Sequence, residues 1–169
     1  ADACLSAATG QACTIMVADC LPLLFTDTQG RWVGAAHAGW RGLAGQGGVG
    51  VIESVLAALR RRAADEGSPD AEWLVWLGPC IGPQAFEVGP EVRDAFVAHQ
   101  PAAQQAFEAS IGGRFLANLP LLARWPAQVT AGTPMRNAST RPWLALNRTV
   151  STNRSARGRR ASVCARLAR

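Results

Sequence analysis

Short runs of apolar residues predict strands in the first part of the chain. Residues 12–17, 21–26 and 32–37 are such runs, and the polar sequence DTQG at residues 27–30 separates the second run from the third. β-Prone runs bounded by turn residues are typical of strands joined by tight connections. We therefore expect the second and third runs to pair as a hairpin. A fourth run, EWLVWL at residues 72–77, has the composition of a buried strand.

Apolar residues at helical spacing become frequent later in the chain. In residues 49–64 they recur every three to four positions, as on one face of a helix. Residues 90–98 predict a helix with Pro90 in its first turn, and two further helices are expected at residues 102–109 and 115–124. Strands that come first and helices that follow are typical of the α+β class. We predict a single α+β domain, with mixed β-sheet layers covered by helices on one side.

Two residues with metal-binding or catalytic chemistry lie at the ends of the predicted strands. Cys20 precedes the second strand and His37 closes the third, so that a hairpin would bring both to its open end. A thiolate beside an imidazole forms either part of a zinc site or a nucleophile–base pair. Sulfur and nitrogen ligands favour zinc or copper over magnesium or calcium. The spacing alone leaves a third interpretation open, in which Cys20 is a small buried residue and His37 is structural.

A rigid turn follows the fourth predicted strand. Residues 78–83 (GPCIGP) contain two glycines and two prolines, which fix a tight backbone and let a ligand approach it closely. We interpret Cys80 in this turn as a small apolar residue without a catalytic role. Glu87 is either a polar group of a pocket or a capping or surface residue. His99, at the end of a predicted helix, is interpreted as a helix-terminal residue and not as a metal ligand.

Three longer motifs occur in order along the chain. They are ADCLPLLF at residues 18–25, AHAGWRG at residues 36–42 and GPCIGPQAFEVGPEV at residues 78–92. With these motifs the chain resembles the bacterial laccase-domain family, which is described as multicopper polyphenol oxidase and as purine nucleoside phosphorylase with adenosine deaminase activity. The resemblance extends from the first residue to about Trp125.

The resemblance implies a metal site, with zinc or copper as the ion and with Cys20 and His37 as two of its ligands. The family's third ligand is a histidine in an upstream Gln-Val-His-Gly segment, and no histidine precedes His37 here. We therefore expect the sequence to resemble a family member without its N-terminal part. We also expect it to bind metal weakly, because catalytic zinc normally has three protein ligands and a water molecule.

The reactions implied by the resemblance are phosphorolysis of purine nucleosides and deamination of adenosine, with purine nucleoside and phosphate as small-molecule substrates. A zinc ion would activate water for the deamination. Arg41 is the expected phosphate-binding residue, because a guanidinium group holds an oxyanion through two hydrogen bonds; an ion pair with Asp19 is its structural alternative. Asp19 is expected to act as acid or base, or to orient a metal ligand. Trp40 either stacks on the purine or belongs to the core.

The residues also leave three other functions open. Copper-dependent oxidation of polyphenols, which the older family description implies, needs more ligands than one cysteine and one or two histidines provide. A metal-free hydrolase would use Cys20 as its nucleophile and His37 as its base. A protein without enzymatic activity would bind nucleic acid through the arginine-rich end of the chain.

Charge divides the chain into two unlike parts. Residues 1–108 carry all 12 acidic residues and six arginines, whereas residues 109–169 carry 11 arginines and no acidic residue. We predict a laccase-type domain at residues 1–125, incomplete at its N-terminus, and a divergent arginine-rich segment at residues 126–169. The simultaneous loss of acidic residues and family motif favours a shifted reading frame in a GC-rich gene. A genuine nucleic-acid-binding tail is less favoured, because Trp143 is its only aromatic residue.

The composition indicates a globular chain that is not built around disulfide bonds. Hydrophobic residues make up 49% and charged residues 17% of the sequence. No apolar run reaches membrane-spanning length, and the sequence does not open with a signal-peptide pattern. The five cysteines are irregularly spaced and include no CxxC pair. A reducing cytoplasm is the expected location.

Overall fold

The fold opens with four strands, after which helices and short strands are interspersed. A computed structural model describes residues 2–131, 150–154 and 161–166, with side chains described as far as Gln128. The described strands are β1 (Ala3–Ser6), β2 (Ala12–Val17), β3 (Leu21–Asp27), β4 (Val33–Ala38), β5 (Trp73–Leu77), β6 (Glu87–Val88), β7 (Phe107–Ala109), β8 (Phe115–Ala117), β9 (Val150–Arg154) and β10 (Ala161–Arg166). The described α-helices are α1 (Trp40–Ala44), α2 (Val51–Asp65), α3 (Pro90–Val97) and α4 (Leu119–Ala131).

The central sheet has four strands in the order β1-β4-β3-β5. Strands β3 and β4 form the predicted hairpin, whose open end is the pair of Leu21 and Ala38. At the closed end, the buried carboxylate of Asp27 accepts hydrogen bonds from the backbone N–H groups of Arg31 (2.6 Å) and Trp32 (3.2 Å). These bonds fix the turn, and a fixed turn sets the register of the hairpin.

The α+β class is confirmed, but the sheets are antiparallel and not mixed. Every strand pairing among the described residues is antiparallel. The connection from β4 to β5 runs through α1 and α2 and returns the chain on the far side of β3. The prediction of a mixed sheet is therefore wrong. Strands β4 and β5 are joined by helices and run in the same direction, but β3 lies between them, so they form no parallel ladder.

Both faces of the central sheet are buried, which explains why β3 is apolar along most of its length. On one face, Leu23 and Phe25 belong to the main core, together with Leu56 of α2 and with residues of α3 and α4. On the other face, Leu24 shares a second core with Ile15 of β2. Strand β2 belongs to a second sheet of order β2-β10-β9. The described helices of the main core thus cover one side of the central sheet, as predicted.

Several predicted elements are confirmed by the structure. The helices expected at residues 49–64 and 90–98 are α2 and α3, and the strands expected at residues 12–17 and 72–77 are β2 and β5. Helix α3 begins at Pro90, where a missing backbone N–H costs nothing. Among the described residues, none of the helices has the length and apolarity needed to cross a bilayer.

A small third sheet, of order β6-β8-β7, partly replaces two predicted helices. Residues 102–106 belong to a 3₁₀ helix (Pro101–Ala106) that β7 follows, and residues 115–124 begin with β8 before α4 starts. Phe107 and Phe115 meet edge to face in this sheet, with 6.4 Å between ring centroids. Burial of aromatic side chains across paired strands here outweighs the local preference for helix.

The predicted boundary at Trp125 falls inside α4, which continues to Ala131. Strands β9 and β10 lie within the segment that was predicted to be divergent, and β10 pairs with β2 along its whole length. The division of the chain at this point stays a prediction. The shifted reading frame that we inferred for residues 126–169 also stays a prediction, since most of these residues lie outside the described part.

Candidate metal centre

Cys20 and His37 lie together at the open end of the β3–β4 hairpin. His37 is opposite Pro22 in the ladder, and Cys20 directly precedes β3. The position that a Cβ atom on Gly39 would occupy is 3.1 Å from Cys20 Sγ and 3.8 Å from His37 Cε1. Cys20 Sγ and His37 Cε1 are therefore within about 7 Å of each other. Continuing the register puts Cys20 opposite Gly39, and Gly39 and His37 are alternate positions that share a face of the strand. The structure thus brings the two side chains together, whereas their role as ligands stays a prediction.

Gly39 keeps the space beside both side chains open. Its backbone angles, φ −76° and ψ 168°, are extended and suit any residue, so the turn itself does not require glycine. A methyl group at this position would press on the Cys20 thiol at 3.1 Å, closer than ordinary van der Waals contact. Glycine therefore leaves space beside the Cys20 thiol and the His37 ring, as two ligands of one ion would require.

Asp2 is a neighbour of His37 that sequence reasoning missed. Strand β1 pairs with β4 with Ala3 opposite Ala36, which puts Asp2 opposite His37. The backbone N–H of His37 donates to the Asp2 carbonyl oxygen at 2.7 Å, and the Asp2 carboxylate lies 3.9 Å from His37 Nδ1. This separation is too long for a hydrogen bond, so the carboxylate is a charged neighbour on the Nδ1 side of the His37 ring. No signal in the sequence could have found this pair, because strand pairing alone creates it.

The surroundings of Cys20 favour its neutral thiol when no cation is present. Burial, and secondarily the negative charge of Asp19, raise the pKa of the Cys20 thiol above its ordinary value of 9.0. A bound cation would reverse this preference, because metal ligation stabilises the thiolate. The side chain of Asp19 is exposed beside Cys20, where the sequence placed it. Its catalytic role stays a prediction.

The turn at residues 78–83 closes on the same end of the sheet. The Gly78 N–H donates to the Pro22 carbonyl oxygen at 2.9 Å, and the Ile81 N–H donates to the Asp19 carbonyl oxygen at 2.8 Å. A Cβ atom on Gly78 would lie 2.6 Å from Cγ of Pro22, so this approach requires glycine. The turn therefore forms a wall beside the two candidate ligands.

Cys80 lies in this wall as a half-buried thiol. Burial, followed by the charge of Cys20, raises the pKa of Cys80 to about 11. A thiol with this pKa is protonated at neutral pH and is a poor nucleophile. This agrees with the interpretation of Cys80 as a residue without a catalytic role.

Arg41 and Trp40 begin helix α1, directly after the hairpin. The guanidinium carbon of Arg41 lies 4.4 Å from the centroid of the Trp40 ring, and Arg41 is exposed. Among the described side chains, no ion pair joins Arg41 to Asp19, so this structural alternative is wrong. Arg41 instead lies over the ring of Trp40 at the start of α1.

An open cleft of about 880 Å³ lies between β1, α1 and α2. Trp40, Arg41 and Asp2 contribute to its lining, whereas Cys20 and His37 do not. Asp2 therefore connects the cleft to the candidate metal ligands, since it also faces His37.

Glu87 and His99 take no part in this arrangement. Glu87 is exposed, accepts a hydrogen bond from Ser110 Oγ at 3.0 Å and pairs with Arg114 at 3.3 Å. It is therefore a surface residue and not a pocket group. His99 follows α3 and is exposed, with its ring beside Gly48. This supports its interpretation as a helix-terminal residue.

The donor set fits zinc in kind but is incomplete in number. A thiol and an imidazole on one face, with open space between them, are the ligand types that zinc prefers. Within the described side chains, no group of three His, Cys, Asp or Glu residues is placed to hold a metal ion. A third protein ligand would have to come from beyond this set.

Two curated proteins with the same name are similar to this chain over about 125 residues. The chain is 57% identical over 125 residues to purine nucleoside phosphorylase PA4543 of Pseudomonas aeruginosa. The matched stretch covers 73% of this chain and 47% of the relative. It is 48% identical over 124 residues to purine nucleoside phosphorylase YfiH of Escherichia coli, which covers 73% of this chain and 46% of the relative. The chain thus spans about half the length of these curated relatives.

A solved structure and a family model extend the similarity. The crystal structure of Neisseria meningitidis protein NMB0706 matches 99% of this chain and 65% of its own, with a TM-score of 0.72 and 38% identity. The family model described as multi-copper polyphenol oxidoreductase laccase matches residues 1–164, which extends past Trp125, where the resemblance was expected to end. The chain therefore belongs to the multi-copper polyphenol oxidoreductase laccase family.

Proposed function

We propose that the protein acts in zinc-dependent phosphorolysis of purine nucleosides and deamination of adenosine, with Cys20 and His37 as two of the zinc ligands. The observation that carries this proposal is the placement of Cys20 Sγ and His37 Cε1 around the open space at Gly39. The substrate class is supported by the relatives PA4543 and YfiH, both of which are named purine nucleoside phosphorylase.

Each residue near the open space has a proposed role. Cys20 and His37 would hold the ion, and the Asp2 carboxylate, 3.9 Å from His37 Nδ1, would act on the ring through its negative charge. When bound, zinc would supply Lewis-acid activation of water for the deamination. Asp19 is the proposed acid or base, because its exposed carboxylate beside Cys20 can exchange a proton with water or substrate.

Arg41 is the proposed phosphate-binding residue. Its guanidinium group has no carboxylate partner among the described side chains and is held over the Trp40 ring at 4.4 Å. A guanidinium group stacked in this way can direct its N–H groups at two oxygens of one phosphate. Trp40 is partly buried against the main core, and Arg41 covers its ring, so we do not assign purine stacking to it.

The other candidate functions receive less support from these residues. Copper-dependent oxidation of polyphenols is favoured by the description of the family model, but one thiol and one imidazole are too few donors for a multicopper cluster. A metal-free hydrolase needs a cysteine with a lowered pKa, whereas burial and Asp19 raise the pKa of Cys20. The arginine-rich nucleic-acid binder depends on a segment that lies largely outside the described residues.

Metal content and turnover of the reduced chain test the proposal. Zinc and copper are measured by inductively coupled plasma mass spectrometry, and adenosine phosphorolysis and deamination by chromatography. We expect zinc to be the preferred metal, bound weakly and with little turnover, because the described residues supply two of the three protein ligands that catalytic zinc normally has. Zinc should be lost in Cys20→Ser and in His37→Ala and kept in the matched controls Cys4→Ser and His99→Ala.

If the chain shows measurable phosphorolysis, its rate should depend on Arg41. Arg41→Ala is expected to raise the KM for phosphate at least tenfold, because one charge-assisted clamp is worth more than about 1.4 kcal/mol. Arg61→Ala, an exposed arginine on α2, is the matched control. Equal zinc retention by all four Cys and His variants would contradict the metal site, and stoichiometric copper with oxygen uptake would favour polyphenol oxidation instead.

A further inference from the structure

We propose that Cys20 and Cys80 form a reversible disulfide bond that withdraws Cys20 from metal binding under oxidising conditions. The bond itself is inferred from the placement of the two cysteines. Its effect on metal binding rests on the proposed function.

The two cysteines lie on adjacent backbone segments that are hydrogen-bonded to each other. Cys20 follows Asp19, and Cys80 precedes Ile81. The Ile81 N–H donates to the Asp19 carbonyl oxygen at 2.8 Å. The residues next to the two cysteines are therefore already in direct backbone contact.

The strand register, counted past the ends of the strands, would set the two cysteines opposite each other. Strands β3 and β5 are antiparallel with Leu23 opposite Leu77, and beyond them the Gly78 N–H donates to the Pro22 carbonyl oxygen at 2.9 Å. Counting two more positions along both segments pairs Cys20 with Cys80. Cross-strand bonds thus flank this pair on both sides.

Opposite residues of an antiparallel pair meet the backbone requirement of a disulfide bond. Their Cα atoms are about 4.5–5.5 Å apart, and bridged cysteines have Cα atoms about 4.4–6.8 Å apart. Opposite side chains also point to the same face of a sheet. The bond therefore needs rotation of the two side chains and little movement of the backbone.

The other cysteines with described side chains are placed elsewhere. Cys13 is buried in the second core, where its Sγ–H points to the Val33 carbonyl oxygen at 3.9 Å. Cys4 lies at the edge of the same core. Cys80 is thus the partner that the strand register provides for Cys20.

The oxidation consumes two thiols and a two-electron oxidant. Each cysteine gives up one proton and one electron as the Sγ–Sγ bond forms, and oxidised glutathione takes up both electrons and both protons to become two glutathione molecules. A bond of this kind in a reducing compartment is transient and suits redox sensing. Because a disulfide sulfur is no longer a thiolate, the oxidised chain would lose one of its two zinc ligands.

Peptide mapping after equilibration in glutathione redox buffers tests the proposal. Cleavage on the amino side of aspartate releases residues 19–26, with Cys20 as their only cysteine, and residues 70–93, with Cys80 as theirs. We expect a cross-link between these two peptides in oxidising buffer, at a yield at least tenfold higher for the folded chain than for the urea-unfolded chain. The cross-link should persist when Cys4→Ser and Cys13→Ser are combined and disappear in Cys80→Ser.

Two results would overturn the proposal. One is recovery of both peptides as separate glutathione adducts or free thiols, and the other is an equal cross-link yield from folded and unfolded chains. Zinc binding by the reduced chain is measured on the same samples. A cross-link without zinc binding would contradict the proposed function and support the disulfide bond. Zinc binding without the cross-link would support the proposed function and contradict the disulfide bond.

Discussion

At the scale of single residues, the candidate site depends on a glycine as much as on its two donor side chains. Gly39 lies between Cys20 and His37 in space, and its extended backbone does not require glycine. Room for an ion is therefore a better explanation of this glycine than backbone conformation is. The explanation leads to a substitution that changes the space and leaves both donors in place.

Gly39→Ala is expected to weaken zinc binding about tenfold, or ~1.4 kcal/mol. The added methyl group would lie 3.1 Å from Cys20 Sγ and would enter the space between the donors. Gly42→Ala is the matched control, because its nearest contact would be the His37 carbonyl oxygen at 3.7 Å. Competition with a chelator gives both affinities, and equal affinities would show that this space is not used.

The pKa of Cys80 gives a second prediction at this scale. Burial raises this pKa from 9.0 to about 11, so the thiolate fraction at neutral pH is about 100-fold lower than in an unfolded chain. The thiolate is the nucleophile, and a thiolate of higher pKa is intrinsically more nucleophilic, so iodoacetamide should modify Cys80 about tenfold more slowly in the folded chain than in urea. The rate should rise about tenfold per pH unit as the pH approaches the raised pKa. Mass spectrometry of the peptide with Cys80 measures both rates, and similar rates would contradict the burial.

At the scale of elements, helix α2 starts with a cap that the Glu53 side chain provides. The Glu53 carboxylate accepts a hydrogen bond from the Gly50 N–H at 3.0 Å and satisfies a donor that the helix leaves free. The helix packs Ile52 and Leu56 into the main core, so its start is tied to the central sheet.

Removal of this cap should destabilise the fold measurably. Glu53→Ala is expected to lower the free energy of unfolding by about 1 kcal/mol, and Glu53→Gln should lower it less, because the amide oxygen can accept the same bond.

Burial raises the pKa of Glu53 above its ordinary value of 4.5. A raised pKa means that the folded state binds the proton more tightly. The wild type should therefore gain stability relative to Glu53→Gln as the pH falls from 7 towards 4.5. Urea unfolding at several pH values measures both effects, and an Ala variant as stable as the wild type would contradict the capping role.

Elements that carry a complete local signal could be predicted from the sequence. The β3–β4 hairpin has two β-prone runs and a polar turn, and α2 has four turns of apolar spacing. The same local signal placed Cys20 and His37 at one end of the hairpin, because each lies at the end of a run.

Elements that depend on distant partners could not be predicted. Strands β7 and β8 are three residues long, too short for a period to show, and they form because Phe107 and Phe115 pack across the third sheet. The position of Asp2 beside His37 results from pairing of β1 with β4. The antiparallel order of the central sheet could not be predicted either, because it depends on the pairing of β5 with β3.

At the scale of the whole molecule, the described site offers two donors where a catalytic zinc ion normally has three protein ligands. The chain also spans about half the length of its curated relatives. The two-donor set of the described residues leads to the expectation that this chain binds a metal ion weakly and at one place. The affinity is therefore less informative than the identity of the donors.

Titration of the reduced chain with cobalt(II), a spectroscopic substitute for zinc, identifies the donors directly. Our account predicts a thiolate-to-cobalt absorption band that saturates at a single ion per chain. The band should be absent in Cys20→Ser, and His37→Ala should require at least tenfold more cobalt to reach half saturation, which is a loss of ~1.4 kcal/mol. A band that persists in Cys20→Ser, or an unchanged midpoint in His37→Ala, would contradict a metal site shared by these two residues.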